Sequence, residues 1–218
     1  MKQKQAKAVT IIGGADGPTS VFLAGHTKKK TLKNGVRQLL YQRRRRRAEK
    51  RIAANPHTVQ EVAAYAAAHY HAAEIPKTQK TYLRQYASAK ESLIFMYKPE
   101  LLSGFDEITA SDVFDEESAK KLYRQLQLRS ETAAKVPESE MPMDFHLYEI
   151  SVGNGHLEMA VDFVWDTILG MSSSGDRSTM KKLKKISDDL YLYYGVSEQD
   201  IQDKTQRYSS LVTMLSSR

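Results

Sequence analysis

The sequence predicts an α+β protein: one small antiparallel sheet built from two hairpins, with about six helices. Three observations carry that expectation. Residues 143–164 alternate apolar and polar side chains on either side of Gly153-Asn154-Gly155. Residues 8–24 hold two short apolar runs around a cluster of Gly, Asp and Pro. Between and after these segments, apolar residues recur at three- and four-residue spacing, the period of a helix with one buried face.

In the N-terminal segment, Ala8-Val9-Thr10-Ile11-Ile12 and Thr19-Ser20-Val21-Phe22-Leu23 flank Gly13-Gly14-Ala15-Asp16-Gly17-Pro18. This reads as a hairpin with a wide loop; strand, glycine loop and helix is the alternative. Leu32, Val36, Leu39 and Leu40 then begin a helix that runs into Arg43–Arg47 and stops before Asn55-Pro56. Thr58-Val59-Gln60-Glu61 is a capping-box pattern, because the Thr oxygen and the Glu carboxylate can each accept an otherwise unpaired N–H. The alanine-rich helix behind it ends before Pro76. A third helix places Tyr82, Tyr86, Leu93 and Tyr97 on one stripe, and a fourth spans roughly Glu116 to Ser130.

The second hairpin has Phe145, Leu147 and Glu149 alternating with His146, Tyr148, Ile150 and Val152 before the turn. Leu157, Met159, Val161 and Phe163 alternate with polar residues after it, and Gly-Asn-Gly suits positive φ. Ser172-Ser173-Ser174-Gly175 reads as a flexible loop. Met180, Leu183, Ile186, Leu190 and Tyr193 stripe a helix closed by Gly195. One last helix opens at Ser197-Glu198-Gln199-Asp200, with Ile201, Tyr208, Leu211 and Leu215 inward. Residues 1–218 are expected to form a single domain, with a basic helical insertion over about 28–102 between the hairpins. Both hairpins are expected to share one sheet, since an isolated hairpin is marginal in water.

Composition limits the chemistry. The chain has 218 residues and no cysteine, so disulfides, thiolate metal sites and cysteine nucleophiles are excluded. The longest apolar run, Val62 to Ala68, is far short of a membrane span. No apolar stretch of signal-peptide type follows the N-terminal lysines, so a cytoplasmic location is expected. The six histidines predict no metal site: His69 and His71 lie two apart and diverge on a helix. His146 and Glu158 are expected to meet across the second hairpin. No nucleophile elbow surrounds the serines, and no cofactor is expected.

Charge is unevenly placed. Residues 1–60 carry 15 Lys and Arg against two Asp and Glu, a net of +13, while the remainder is −6. The positive charge concentrates in Arg43, Arg44, Arg45, Arg46, Arg47, Lys50 and Arg51. Such a block suits an anionic partner, either nucleic acid or an acidic protein surface, with an anionic membrane surface as a further reading. It also suits an internal contact with the acidic stretch 106–117.

The run Thr10-Ile11-Ile12-Gly13-Gly14-Ala15-Asp16-Gly17-Pro18-Thr19-Ser20-Val21-Phe22-Leu23-Ala24 resembles the signature segment of the β subunits of sodium-ion-translocating decarboxylases. These are the oxaloacetate, methylmalonyl-CoA and glutaconyl-CoA decarboxylase pumps. In that family the segment breaks a membrane helix, and its Asp is implicated in handling sodium ions and protons. The resemblance places Asp16 at that position, Gly13, Gly14 and Gly17 at the backbone-exposing glycines, and Thr19 at a polar neighbour. It covers about 15 of 218 residues, and the family's many membrane helices have no counterpart in this sequence. The chain is therefore not expected to be a pump.

Three functional readings follow. The first is a noncatalytic interaction or regulatory module. The second is an enzyme or ligand-binding protein that uses Gly13, Gly14, Asp16, Gly17 and Thr19 to hold a carboxylate or an acyl-CoA-type anion. The third is binding of nucleic acid or an anionic surface through Arg43–Arg47.

Overall fold

The computed structural model describes residues 10–14, 17–22, 32–102 and 116–216. Among these are six strands, seven α-helices and one 3-10 turn, so the α+β class holds. The chain divides into two compact units, residues 1–26 with 76–145, and residues 27–75 with 146–218. The boundary at Pro76 falls inside the segment expected to be a single basic insertion.

In the first unit, β1 (Thr10–Gly14) and β2 (Gly17–Phe22) pair antiparallel. The hairpin is therefore formed, and both strands reach into the glycine cluster, with Gly14 opposite Gly17. Helices α3 (Lys80–Tyr97) and α4 (Glu116–Lys135) bury Leu93, Ile94 and Ala133. Helix α4 runs past Ser130. The buried Lys90 Nζ donates to the carbonyls of Ala134 (3.2 Å) and Val136 (2.5 Å), satisfying groups a helix C-terminus leaves open. Arg129 pairs with Glu91 at 2.7 Å and lies over the Phe95 ring.

The second unit is a sheet with helices. Its strands are β3 (Ala73–Glu74), β4 (Phe145–Val152, whose first residue falls in the first unit), β5 (Gly155–Asp162) and β6 (Thr167–Ser174), in the order β3-β4-β5-β6. The expected single sheet is thus replaced by two. The free edge of β4 is taken by β3 and that of β5 by β6, two strands the sequence reading assigned otherwise. Ser172–Ser174 lie in β6 rather than in a loop, and Glu158 pairs with Ser172 in register. The turn between β4 and β5 has positive φ at Gly153, the arrangement of a two-residue hairpin with Gly first. Gly155 is obligatory, because an added Cβ would sit 2.1 Å from the Ser174 carbonyl oxygen.

One sheet face carries Ile150, Leu157, Met159 and Val161. These pack with Val59, Val62 and Ala66 of α2 (Val59–Tyr70) and Leu183 and Leu190 of α5 (Arg177–Tyr194). The expected capping box opens α2: Thr58 Oγ1 accepts the Glu61 N–H, and the Glu61 carboxylate accepts the Thr58 N–H at 2.7 Å. The Asp189 carboxylate of α5 accepts hydroxyls from Tyr65 (2.9 Å) and Tyr70 (2.7 Å). That hydrogen bond holds the Tyr65 hydroxyl above the usual phenol range. Burial and then Asp189 do the same for Tyr70. Both therefore stay protonated donors.

A second core joins Ala48 of α1 (Leu32–Arg51) to Tyr208, Leu211, Val212 and Leu215 of α7 (Gln206–Ser216). The single C-terminal helix expected from Ser197 is broken into α6 (Glu198–Asp203) and α7. Lys204 turns left-handed, and the Thr205 hydroxyl donates to Asp200 Oδ1 (2.7 Å) while accepting the Tyr208 N–H that starts α7.

Arg207 ties these parts together. Its guanidinium donates to the carbonyls of Gly195 (3.1 Å), Tyr194 (3.0 Å) and His57 (3.0 Å). It also reaches Asp166 Oδ2 at 3.5 Å and lies over the Tyr194 ring. Arg207→Met is expected to lower stability by about 2–4 kcal/mol, because it removes the guanidinium donor from the half-buried Gly195 and His57 carbonyls. Denaturant unfolding measures this, and a change below about 0.5 kcal/mol would contradict the role.

Hydrogen bonds from the Thr205 side chain, then from the Ser197 side chain and backbone, hold the Asp200 carboxyl below the usual range. A depressed folded pKa stabilises above the unfolded value and loses that contribution as pH falls through the folded one. Asp200→Asn is therefore expected to lower the melting temperature at pH 7. The gap to the unaltered protein should narrow as pH falls below about 4. Parallel melting curves that kept a constant gap would refute the assignment.

Candidate functional site: the basic face of the first helix

Helix α1 has two faces with different chemistry. Ala48 is buried against α7, and Ile52 just beyond the helix packs beside it. The opposite side carries Arg43, Arg46, Arg47 and Lys50, which line one shallow open concavity. Their spacing of three, four and seven residues aligns them on a single stripe. Over seven residues of helix that stripe is roughly 10 Å long.

The seven cations of the basic block do different things. Arg45 pairs with Glu49 one turn on, at 3.2 Å. Arg51 pairs with Asp188 of α5 at 3.2 Å, and Lys184 holds the other oxygen of that carboxylate at 3.0 Å. Arg44 is half-buried. Among the described residues, Arg43, Arg44, Arg46, Arg47 and Lys50 have no ion pair. Among the described residues, the acidic residues that meet the block are Glu49 and Asp188. Most of the stretch 106–117, expected as an internal counter-charge, lies outside the described residues.

On the same side, one turn and more toward the N-terminus, Val36 is 54% exposed, Leu39 67% and Leu40 46%. Their spacing predicts a helix stripe. The helix is formed, but that stripe faces outward and continues into the cationic one.

The described residues cover part of the glycine motif. Gly13 and Gly14 end β1, and Gly17 and Thr19 lie in β2; Gly14 pairs with Gly17, while Gly13 and Thr19 fall where the register shifts between Ile12 and Gly14. Asp16, the residue the resemblance singles out, is outside the described residues. His146 does not meet Glu158 as expected. Its Nδ1 lies 2.6 Å from Glu74 Oε1, and its ring stacks on Phe163. The two-residue turn sets Val152 opposite Gly155, which puts 146 and 158 on opposite sheet faces.

The sheet also brings together Glu149, His156 and Glu158, a group with no spacing motif in the sequence. The register of the predicted hairpin could have found it, since 149 and 158 are then directly opposed.

No family model matches this chain, and comparison with curated proteins and with solved structures yields no match either. No helix among the described residues is long and apolar enough to cross a membrane.

The orientation of the basic stripe depends on the small residue at its back. Ala48→Leu is expected to cost about 1–3 kcal/mol by overpacking the α1–α7 contact. Thermal unfolding checks this, and an unchanged midpoint would show that α1 does not dock there.

Proposed function

We propose that this protein is a noncatalytic interaction module of the cytoplasm whose partner is a nucleic acid, bound through α1. The observation that supports this reading is the stripe Arg43, Arg46, Arg47 and Lys50, which shares one open concavity and makes no ion pair among the described residues. Arginine suits the task because its planar guanidinium makes paired hydrogen bonds to phosphate oxygens. A 10 Å row is about the length of three phosphates along one strand. The stripe contacts backbone and carries no base-reading pattern, so binding is sequence-tolerant.

Neutralised phosphates release counterions, so affinity falls with salt at a slope of about −0.9 per contact for duplex DNA. The combined variant Arg43→Gln, Arg46→Gln, Arg47→Gln and Lys50→Gln is expected to flatten that slope by roughly three to four. Arg45→Gln and Arg51→Gln should change it little, because Glu49 and Asp188 already hold those side chains. Fluorescence anisotropy with a labelled duplex and a labelled single strand across a salt series measures both. Equal slopes for the unaltered protein and the four-residue variant would end the proposal.

A further inference from the structure

The middle strands of the sheet carry a group that the polyanion reading does not use. The two-residue turn at 153–154 fixes β4 against β5, placing Glu149 directly opposite Glu158 and Ser151 opposite His156. One donor atom from each of Glu149, His156 and Glu158 lies within 4.8 Å of the other two. All three residues are half-buried. His156 Nε2 is 4.0 Å from Glu158 Oε1, and the Glu158 side chain is only 14% exposed. On the flanking strand, Ser172 Oγ donates to Glu158 Oε2 at 3.2 Å, and on β4 Ser151 Oγ donates to Glu149 Oε1 at 3.3 Å.

We propose that Glu149, His156 and Glu158 bind one divalent transition-metal ion of the zinc class. Three arguments converge. First, like charges directly opposed on neighbouring strands repel, and a cation between them turns that repulsion into attraction. The ladder fixes both glutamate backbones, so only side-chain rotation can change their separation.

Second, the donor set is mixed. Magnesium and calcium take oxygen ligands, whereas an imidazole nitrogen with two carboxylates matches zinc and its neighbours. Three protein ligands also leave a coordination position for water or an outside ligand.

Third, the geometry is close. Tetrahedral ligands about 2.1 Å from zinc stand roughly 3.4 Å apart, so the donors need to close by about 1 Å. Side-chain rotation supplies this without moving the strands. The serine hydroxyls occupy a second carboxylate oxygen or share one, and so orient the glutamates as outer partners do around metal ligands. The same sheet face is open nearby, because a Cβ built on Gly170 would meet nothing within 4 Å.

The test titrates the full chain with zinc chloride by calorimetry, and with cobalt(II) followed by its visible absorption. One ion per chain is expected, with magnesium failing to compete. His156→Ala and Glu158→Gln should each weaken zinc roughly tenfold or more. Replacing both His69 and His71 by Ala should not. Retained affinity in His156→Ala, or loss only in the His69/His71 variant, would overturn the site, as would the absence of saturable binding. A measurement on the unaltered protein covers the case of a variant that fails to fold. Cobalt(II) should shift or broaden the His156 imidazole NMR signals before those of the other histidines, and undisturbed His156 signals at one equivalent would also overturn it. Polyanion binding is unaffected by any of these outcomes, so the two proposals fail separately.

Discussion

The second unit is organised by one side chain from its last helix. Arg207 reaches the C-terminal carbonyls of α5, the His57 carbonyl just before α2, and Asp166 in the turn between β5 and β6. Asp166 in turn accepts the Val59 N–H at the start of α2, at 2.7 Å. Backbone groups at the end of α5 and the start of α2 are thus gathered on one cation and its partner carboxylate. Gly195 makes the gathering sterically feasible. It has φ +56°, and a Cβ there would sit 2.3 Å from the Asn55 carbonyl oxygen. Asn55 and His57 donate their N–H groups to Val196 and Tyr194, so the chain leaving α1 runs beside the end of α5. The aromatic rings follow the same path, with His57 stacked on Tyr193 and Tyr193 on Tyr65.

That arrangement explains how a helix so rich in arginine is held at all. Helix α1 supplies a single fully buried side chain from within the basic block, Ala48. A small residue lets the backbone approach α7 closely, while the long cations on the other side remain in water. The ion pair of Arg51 with Asp188 adds a second anchor at the same end. The exposed pair Arg45–Glu49 contributes little to stability, but it removes one cation from the free set. The charge left over is therefore directional, and on the proposed reading it is the direction rather than the count that suits α1 to a polyanion.

Much of this was legible from local chemistry. The capping box at Thr58, the helix start at Ser197, the helix stop before Asn55-Pro56, the Gly-Asn turn and the Gly195 cap depend on residues within a few positions of one another. Each matches what the sequence predicts. What failed was long-range. A two-residue strand at Ala73–Glu74 has no pattern of its own and exists because β4 offers an edge. The β6 serines form a strand because β5 holds them in register, although their composition reads as a loop. The break between α6 and α7 turns on a left-handed Lys204, a residue type with no preference for that conformation. In the candidate site, the basic block was visible at once. Which of its cations were already occupied was not, since Asp188 lies 137 residues from Arg51.

The second hairpin shows how one local decision sets two distant properties. Because side chains alternate strictly, fixing the turn at Gly153-Asn154 assigns every residue of β4 and β5 to a face. One assignment puts Ile150, Leu157, Met159 and Val161 into the core with α2 and α5. The same assignment forces Glu149 against Glu158 and brings His156 beside them. A slip of one residue would relieve the glutamates only by turning the core face outward. The apolar face is the stronger term, with Leu157, Met159 and Val161 almost wholly buried. The opposed carboxylates are therefore a consequence the fold cannot avoid once its core is chosen. A bound cation is the arrangement in which core burial and carboxylate pairing no longer conflict.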